Sequence, residues 1–484
     1  MVDLLVVGAG PAGMSGALEA ANAGLDVLVV DEQARAGGQI FRRPPAAFEV
    51  DAPAYAPYGW AAKLIDEFDS HPRITSAFRS TVYGIFANSD ETDDPEATGF
   101  SVGMMGMNNP GVRGRRIACE RVLIATGAYD MPVAFPGWTT PGVMTVGAVQ
   151  SMLKSQQVLP GQKIVLAGSH PLLLVAAEQL LEAGAQIAEI AFARGIPGPA
   201  ELIRALPAAP NHMSVFAEAL RAAKTIAKHR VPISTRSVVT QAHGDETVNG
   251  ITLARVDRDW KPEGSRRYVS SDLLAIGYGF SPSTELARQV GCEMVWDSPK
   301  GGWIVAHNDD FETTVPGVFV AGEPCGVAGA EQSRAGGTKA GLGIARSLGV
   351  VGGAQRDVEK RARKQLIIAS RFSKVVQRMF EPNRLGLAEL SRPSETVVCR
   401  CEVITSGEVD HLLDKNSFIS SSNALKLEGR TGMGVCQGRY CEGTVSARVA
   451  QAQDKPIDRS GYFTAHVPVK PVPVSTYETL DDER

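Results

Sequence analysis

The chain lacks the features that mark membrane, nucleic-acid-binding and secreted proteins. Among its 484 residues, no apolar run reaches the ~18 residues that a transmembrane helix needs. Its 49 basic and 53 acidic residues nearly cancel, and a net charge of −4 gives no electrostatic reason to expect nucleic acid as a partner. The first residues run directly into an apolar stretch, without the basic region and cleavage site of a targeting signal.

Cysteine is scarce, and its distribution argues against a disulfide framework. There are seven cysteines, an odd number, and four of them cluster at the spacing of metal ligands. This pattern favours a reducing compartment, so we expect a cytoplasmic protein. Cys119, Cys292 and Cys325 are isolated in the sequence, so the redox-active disulfide of a disulfide reductase is not predicted. No other constellation indicates a catalytic residue.

The N-terminus carries a dinucleotide-binding fingerprint in its expected context. An apolar strand at Leu4–Val7 leads into the pattern G-x-G-x-x-G, which opens a predicted helix, and Asp31 ends the next apolar run 23 residues after Gly8. The glycines permit the turn and the close approach of a pyrophosphate, and the acid can bind ribose hydroxyls. The residues that we expect to hold the nucleotide here are Gly8, Gly10, Pro11, Ala12, Gly13, Asp31 and Glu32.

Three later motifs narrow the type of nucleotide site. They are Arg35-Ala-Gly37-Gly38, Ala125-Thr126-Gly127 and Phe319-Val-Ala-Gly322-Glu323, and the expected cofactor-binding residues among and beside them are Gly38, Gln39, Ala125, Thr126, Gly127, Gly322 and Glu323. Together with the fingerprint they resemble the two-dinucleotide flavoproteins of the α/β, glutathione reductase-like fold, over about residues 1–345. The resemblance implies FAD at the N-terminal site and assigns the ribityl chain of the flavin to Glu323. That family usually has Asp at this position, and the glutamate is longer.

The second α/β segment departs from the same pattern. An NAD(P)H site would read G-x-G-x-x-G after its strand, and this chain has Gly168-Ser-His170-Pro-Leu-Leu173. A side chain at His170 would stand where the pyrophosphate must approach, and Leu173 would push the helix away from the strand. We therefore predict that the NAD(P)H site is lost. His170 itself is either a catalytic base or an ordinary loop histidine, and the second interpretation is favoured.

The remaining four cysteines form two short pairs. Cys399 and Cys401 are separated by one residue, and Cys436 and Cys441 follow after a 34-residue gap. A C-x-C pair is short for one tetrahedral zinc ion, whereas two sulfide-bridged irons can share two such pairs. The spacing favours a [2Fe–2S] cluster; zinc and unliganded thiols stay open. The segment resembles the bacterioferritin-associated-ferredoxin-like domain, a small all-α unit that often has C-x2-C as its second pair.

One family combines all these features. The motifs Phe135–Met144, Gly322-Glu323, Cys399-x-Cys401-Glu402 and Met433-Gly-x-Cys436-Gln-Gly-Arg-x-Cys441 resemble the A (α) subunit of heteromeric opine oxidases, D-hydroxyproline and proline dehydrogenases, and hydrogen cyanide synthase. The resemblance implies a catalytic β subunit with its own FAD, in some complexes an interfacial FMN, and in some a small ferredoxin-like γ subunit. Some relatives hold NAD or ATP in the N-terminal site, so the identity of that nucleotide stays open. Peripheral contact with the respiratory chain at the inner face of the plasma membrane also stays open.

We therefore expect an electron-transfer subunit of a flavin-dependent dehydrogenase that oxidises the C–N bond of an opine or secondary amino acid. The alternatives are a self-sufficient NAD(P)H-dependent FAD/[2Fe–2S] reductase and a scaffold subunit with a structural nucleotide. The expected segments are an FAD-binding domain at 1–140 with 275–348, a degenerate NAD(P)-binding-like domain at 141–274, a helical linker at 349–395, a [2Fe–2S] domain at 396–450 and a tail at 451–484.

Overall fold

The computed structural model describes residues 1–45, 48, 58–91, 98–106, 114–198, 201, 213–350 and 355–478. The chain forms two compact units. The first contains Met1–Tyr129, Ser281–Gln377 and Ala465–Arg484, and the second contains Asp130–Phe280 and Arg378–Thr464. The five expected segments stay a prediction, and residues 351–354 and 479–484 of the expected linker and tail lie outside the described part of the chain.

The first unit is built on a seven-stranded sheet. In the order of pairing its strands are Ile74–Phe78, Val27–Asp31, Val2–Val7, Gly114–Ile124, Phe100–Gly106 and Ser80–Ala87, and Val318–Val320 also pairs with Gly114–Ile124. The strands Val2–Val7, Val27–Asp31, Gly114–Ile124 and Val318–Val320 run parallel to their neighbours in this group. Parallel strands are covered on both faces, which explains why the first strand reads as an apolar run.

Two helices of the first unit pack unusually closely because glycines face each other. The helices are Pro11–Asn22 and Ala330–Ser347. A Cβ atom on Gly337 would lie 2.1 Å from the carbonyl oxygen of Ala12, and one on Gly341 would lie 2.4 Å from that of Gly16. Any larger residue at these positions would push the helices apart, so the glycines fix the second helix against the first.

The other elements of the first unit are short or peripheral. They are the helices Ala61–Ser70, Asn88–Glu91, Glu285–Gln289, Gln355–Met379 and Ser475–Glu478, the 3-10 turns Ser298–Lys300 and Glu323–Cys325, and the antiparallel strands Met294–Asp297 and Gly302–Val305. Short strands at Ala128–Asp130 and Phe280–Pro282 lie where the chain passes between units. Among the described helices of the whole chain, none is long and apolar enough to cross a membrane.

The second unit begins with another parallel sheet. Its strands, in order, are Ile233–Thr235, Gln186–Phe192, Lys163–Gly168, Leu273–Gly277 and Val143–Thr145. The helices beside it are Val146–Ser155, Leu172–Glu182 and Met213–Lys228. An antiparallel sheet of Ser237–His243, Gly250–Val256 and Pro262–Ser270 completes this part. The α/β fold class expected from the sequence is confirmed.

The cysteine-containing end of the second unit is mainly helical. Its helices are Arg384–Glu389, Ser406–Lys415, Ser422–Gly429 and Glu442–Ala452, with a 3-10 turn at Ile457–Ser460. Thr405 and Glu408 form a capping box that begins the second helix: the Thr405 hydroxyl accepts from the Glu408 N–H at 3.3 Å and the carboxylate accepts from the Thr405 N–H at 2.8 Å. The expectation of an all-α domain is wrong in one detail. Val397–Cys399 and Ile404–Thr405 form an antiparallel pair, because the chain turns back directly after the first two cysteines.

Candidate functional site

The glycine loop forms the tight turn that the fingerprint predicts. Gly8 follows the first strand with a φ of +105°, and a Cβ atom on it would lie 2.4 Å from the carbonyl oxygen of Ala125. A Cβ atom on Gly13 would lie 1.8 Å from the oxygen of Gly8. Gly10 caps the helix without a side-chain bond, and Pro11 is its first residue. The loop is therefore closed by backbone against backbone, and the start of the helix carries no side-chain acceptor.

Asp31 ends the second strand beside this loop. Its Oδ2 accepts a hydrogen bond from the Ala9 N–H at 2.6 Å, and its Oδ1 accepts from the Gln33 N–H at 2.7 Å. Burial raises the pKa of Asp31, although these two N–H groups oppose the shift. The carboxylate therefore holds the glycine loop in position in addition to the ribose contact that the sequence predicts for it.

The other expected residues lie around the same loop. Gly38 approaches Gly10 so closely that a Cβ atom on it would lie 2.7 Å from the Gly10 Cα. The Gln39 side-chain amide donates to the Ala128 carbonyl at 2.8 Å, directly after Ala125-Thr126-Gly127. The Thr126 hydroxyl donates to the Ser283 carbonyl at 2.7 Å. Because the strands before these motifs are parallel, the motifs meet at one edge of the sheet, where this class of fold binds nucleotides.

Gly322 and Glu323 close that edge from the last strand. A Cβ atom on Gly322, which has a φ of +78°, would lie 2.8 Å from the Cβ of Ala12. The carboxylate of Glu323 accepts from the N–H groups of Ala328 at 3.2 Å and Gly329 at 3.0 Å. Burial raises the pKa of Glu323 to about 7, against the lowering effect of these donors. In this structure the acid therefore supports the N-terminus of Ala330–Ser347, and its predicted contact with a ribityl chain stays a prediction.

One charged residue beside this site was missed by the sequence analysis. The Lys470 ammonium pairs with the carboxylate of Glu32, which follows Asp31. The tail also returns to the sheet through the Val469 N–H, which donates to the Tyr83 carbonyl at 2.9 Å. Lys470 lies 438 residues from its partner, and no local pattern in the tail marks it.

The second loop is occupied by side chains. The ring of His170 lies edge-on to Phe280, with centroids 5.0 Å apart, and 6.5 Å from the ring of Phe380. Its Nδ1 accepts from the Leu172 N–H at 3.2 Å. Leu173 is fully buried in the core between helix and sheet. These contacts are those of a packed loop histidine, and the loss of an NAD(P)H site stays a prediction.

We expect His170 to make stability depend on pH in acid. Burial lowers the pKa of this imidazole from 6.5 to about 4. Below pH 6.5 the imidazole is protonated in the unfolded chain but stays neutral in the folded chain. The free energy of unfolding therefore decreases as the pH falls from 6.5 toward 4, by up to about 3 kcal/mol. Denaturant unfolding at pH 7.5 and 5.0 measures the loss, and His170→Phe should reduce it. An identical pH dependence in the variant would contradict this assignment.

The structure brings the four C-terminal cysteines together across the two sequence pairs. The thiol of Cys399 lies within hydrogen-bond distance of that of Cys441, and Cys401 lies within reach of Cys436. Cys399 and Cys441 are buried, whereas Cys401 and Cys436 are half-buried. Hydrogen bonding with Cys441 lowers the pKa of Cys399 to about 6, against the effect of burial, and raises that of Cys441.

Backbone donors and small residues surround these thiols. The N–H groups of Cys401, Glu402 and Gly432 point at the Cys399 sulfur. A Cβ atom on Gly434 would lie 2.3 Å from the Cβ of Cys401, so only glycine allows the two cysteine loops to approach. N–H donors to cysteine sulfur are the environment in which proteins hold iron–sulfur clusters.

The four cysteines offer thiols, which are the usual ligands of iron–sulfur clusters. Within the described part of the chain, no group of three or more His, Cys, Asp or Glu side chains is placed so that it could hold a metal ion. In composition the four residues would suit a [2Fe–2S] group, and the assignment of Cys399, Cys401, Cys436 and Cys441 as its ligands stays a prediction.

The remaining cysteines are separate from this group. Burial raises the pKa of Cys119 to about 12 and raises that of Cys325 beside Glu323. Burial also raises the pKa of Cys292, whose thiol donates to the Thr313 hydroxyl at 3.3 Å. A raised pKa keeps each thiol protonated, which disfavours it as a nucleophile.

The parallel sheet edge with its glycine loop, followed by a second α/β layer, defines an oxidoreductase of the two-dinucleotide type. The family model described as pyridine nucleotide-disulphide oxidoreductase matches residues 2–340. Hydrogen cyanide synthase subunit HcnB of Pseudomonas aeruginosa is 31% identical over 99% of both chains. The A subunit of the opine oxidase from Agrobacterium tumefaciens is 32% identical over 97% of this chain and 90% of its own. The chain therefore belongs to the pyridine nucleotide-disulphide oxidoreductase family, and it also belongs to the family of enzyme subunits formed by these relatives.

A solved structure extends the likeness of fold to nearly the whole chain. L-proline dehydrogenase from P. horikoshii is 18% identical and covers 98% of this chain and 79% of its own, with a TM-score of 0.67. At this identity the likeness concerns the fold alone. The match includes the cysteine-containing end, which lies beyond the residues of the family model.

Proposed function

We propose that this chain is the electron-transfer subunit of a hetero-oligomeric flavin dehydrogenase or oxidase that acts on the C–N bond of an opine or secondary amino acid. The observation that carries the proposal is one chain with an assembled nucleotide edge, two facing cysteine pairs and a second nucleotide loop filled by His170 and Leu173. The names of the relatives support it, since they are subunits of an opine oxidase and of hydrogen cyanide synthase. Substrate oxidation then belongs to a partner β subunit with its own FAD.

The proposed cofactors are FAD at the sheet edge and a [2Fe–2S] cluster at the four cysteines. When bound, a flavin accepts an electron pair and an iron–sulfur cluster carries single electrons, so together they connect two-electron chemistry to a one-electron acceptor. Gly8–Gly13 would hold the pyrophosphate, Asp31 the ribose, and Glu323 would steady the helix that faces the flavin. Hydride transfer requires a nicotinamide held at near-attack distance, and His170 would stand where the pyrophosphate of that nucleotide has to approach.

The remaining parts of the complex follow the same proposal. An FMN at the contact with the β subunit and a small ferredoxin-like γ subunit would extend the electron path, and the acceptor would lie in the cytoplasm or at the inner face of the membrane. No residue of this chain is proposed as a catalytic residue.

The test is to assay the chain alone and together with its partner. We expect dye reduction with proline or opines only from the complex, and none from the lone chain with NADH or NADPH. Heat release and mass identification of the nucleotide should recover FAD, and iron and sulfide should be present. Robust NAD(P)H–dye turnover by the lone chain would instead identify a self-sufficient reductase. Recovery of ATP or NAD alone would favour a scaffold subunit.

A further inference from the structure

The half-buried cysteines are flanked by apolar side chains that face solvent. Val403 follows Cys401 by two residues and is 65% exposed, and Val435 precedes Cys436 and is 68% exposed. Tyr440, inside the second cysteine loop, is 40% exposed. Single exposed apolar residues are common, but a group of them beside one functional centre marks an interaction site.

Three contacts place the two cysteine loops, which carry these residues, against each other. The Arg400 guanidinium lies 5.5 Å from the centroid of the Tyr440 ring. Arg430 donates to the carboxylate of Glu402 at 2.9 Å. Gly434, next to Val435, approaches the Cβ of Cys401 as described above. We call Arg400, Val403, Val435 and Tyr440 the cysteine face.

Val403 is also held in a conformation that a β-branched residue rarely adopts. Its φ is 57°, in the left-handed region. Such a backbone is strained, and burial does not offset the strain, because the side chain projects into solvent. The turn directly after Cys401 therefore carries an exposed apolar side chain in a strained conformation.

The net positive charge of the two cysteine loops indicates what kind of protein could bind there. The segments 399–403 and 430–441 contain three arginines, Arg400, Arg430 and Arg439, and one acid, Glu402, which is paired with Arg430. A second copy of the chain would bring like charges together in a symmetric contact, which is unfavourable. An apolar centre with a basic rim is complementary to a protein with carboxylates around its own redox centre.

We propose that the cysteine face docks an acidic one-electron redox protein, so that electrons cross on the side of Cys401 and Cys436. This inference rests on the proposed function, because it requires the [2Fe–2S] cluster. In the transfer, one electron leaves the reduced partner and reduces the cluster by one electron, or the reverse, and no bond forms or breaks. Electron-transfer contacts are small, under about 1,200 Å², so a face of this few side chains is sufficient.

The experiment uses the full chain with its cofactors and a reduced plant-type ferredoxin, an acidic protein, as electron donor. Stopped-flow spectroscopy follows cluster reduction at low and high salt. We expect a fast rate that falls with ionic strength. Arg400→Glu should lower the low-salt rate at least about tenfold and flatten its salt dependence, and Val435→Asp should lower it at both salt concentrations.

Two controls separate docking from loss of the site. Phe418→Asp changes an 89% exposed apolar residue outside both cysteine loops and should keep the wild-type rate. Reduction by a small viologen radical should not fall in any variant. Iron, sulfide and EPR signal are measured first, and their absence from the wild type would refute the proposed function itself. An intact cluster with equal ferredoxin rates in wild type, Arg400→Glu and Val435→Asp would overturn the docking proposal. Arginine-dependent binding to phosphatidylserine vesicles with unchanged ferredoxin rates would overturn it equally.

Discussion

Replacing Cys436 with serine is expected to remove the proposed iron–sulfur cluster and to loosen the cysteine-containing end of the second unit. Cys436 lies against Cys401, so its loss would leave one iron of the proposed cluster with a single thiol ligand. The core of this region is small, and two of its buried residues are themselves the cysteines Cys399 and Cys441. So small a core depends on its metal for stability. We therefore expect loss of the visible and EPR signals and rapid proteolysis within 396–450.

Cys325→Ser is the matched control for this loss. Cys325 is half-buried and belongs to the first unit, whereas the four-cysteine group belongs to the second. The control should retain iron, sulfide and protease resistance. If Cys436→Ser retained two irons per chain, the assignment of the ligands would be wrong. If the wild type bound one zinc instead of iron, the choice of metal would be wrong.

The nucleotide edge could be predicted because each of its parts is local. The strand expected at Leu4–Val7 is found at Val2–Val7, and the acid expected after the second strand is its last residue, Asp31. A parallel strand buried on both faces appears in the sequence as an apolar run, and the residues directly after it form the loop where this fold binds ligands. The apolar runs and the glycine or acidic residues that follow them together predict which motifs meet at the same edge of the sheet.

Contacts between segments that are distant in the sequence could not be predicted from any local pattern. Phe463 packs where a Cβ atom on Gly432 or Gly438 would stand, 2.4 Å from its ring in both cases, and therefore closes the second cysteine loop. In the sequence it lies in a stretch expected to be tail. The ion pair between Lys470 and Glu32 likewise joins the tail to a distant segment and was not predicted. Long-range pairing depends on the folded path of the chain, and no local spacing encodes it.

Two further features are visible in the sequence without indicating their contacts. In the helix Ala330–Ser347, Gly337 and Gly341 are spaced by four residues and face the first helix. That spacing is typical of close helix packing. The cysteine spacing predicted two pairs, yet the thiol contacts run across them, from Cys399 to Cys441. Spacing alone cannot distinguish these arrangements.

Gly13→Ala is expected to release the nucleotide from the first unit and to destabilise that unit. The new Cβ atom would lie 1.8 Å from the carbonyl oxygen of Gly8 and 3.3 Å from Cγ1 of Val6. The new methyl group would collide with main-chain atoms of the loop, and these atoms cannot move aside unless the glycine turn opens. Overpacking of this kind costs about 1–3 kcal/mol, and the opened turn no longer presents its N–H groups to a pyrophosphate. Nucleotide per chain after heat release and the thermal midpoint measure both effects.

Gly59→Ala provides the control, because it adds the same methyl group to the same unit without a collision. Gly59 is exposed, and no atom lies within 4 Å of the position that its Cβ would occupy. This variant should keep the full nucleotide content and the wild-type thermal midpoint. Iron content should stay unchanged in both variants, because the four cysteines belong to the second unit. Full nucleotide occupancy in Gly13→Ala would mean that the nucleotide is bound elsewhere, because a glycine loop closed by backbone contact cannot accept that methyl group and keep its geometry.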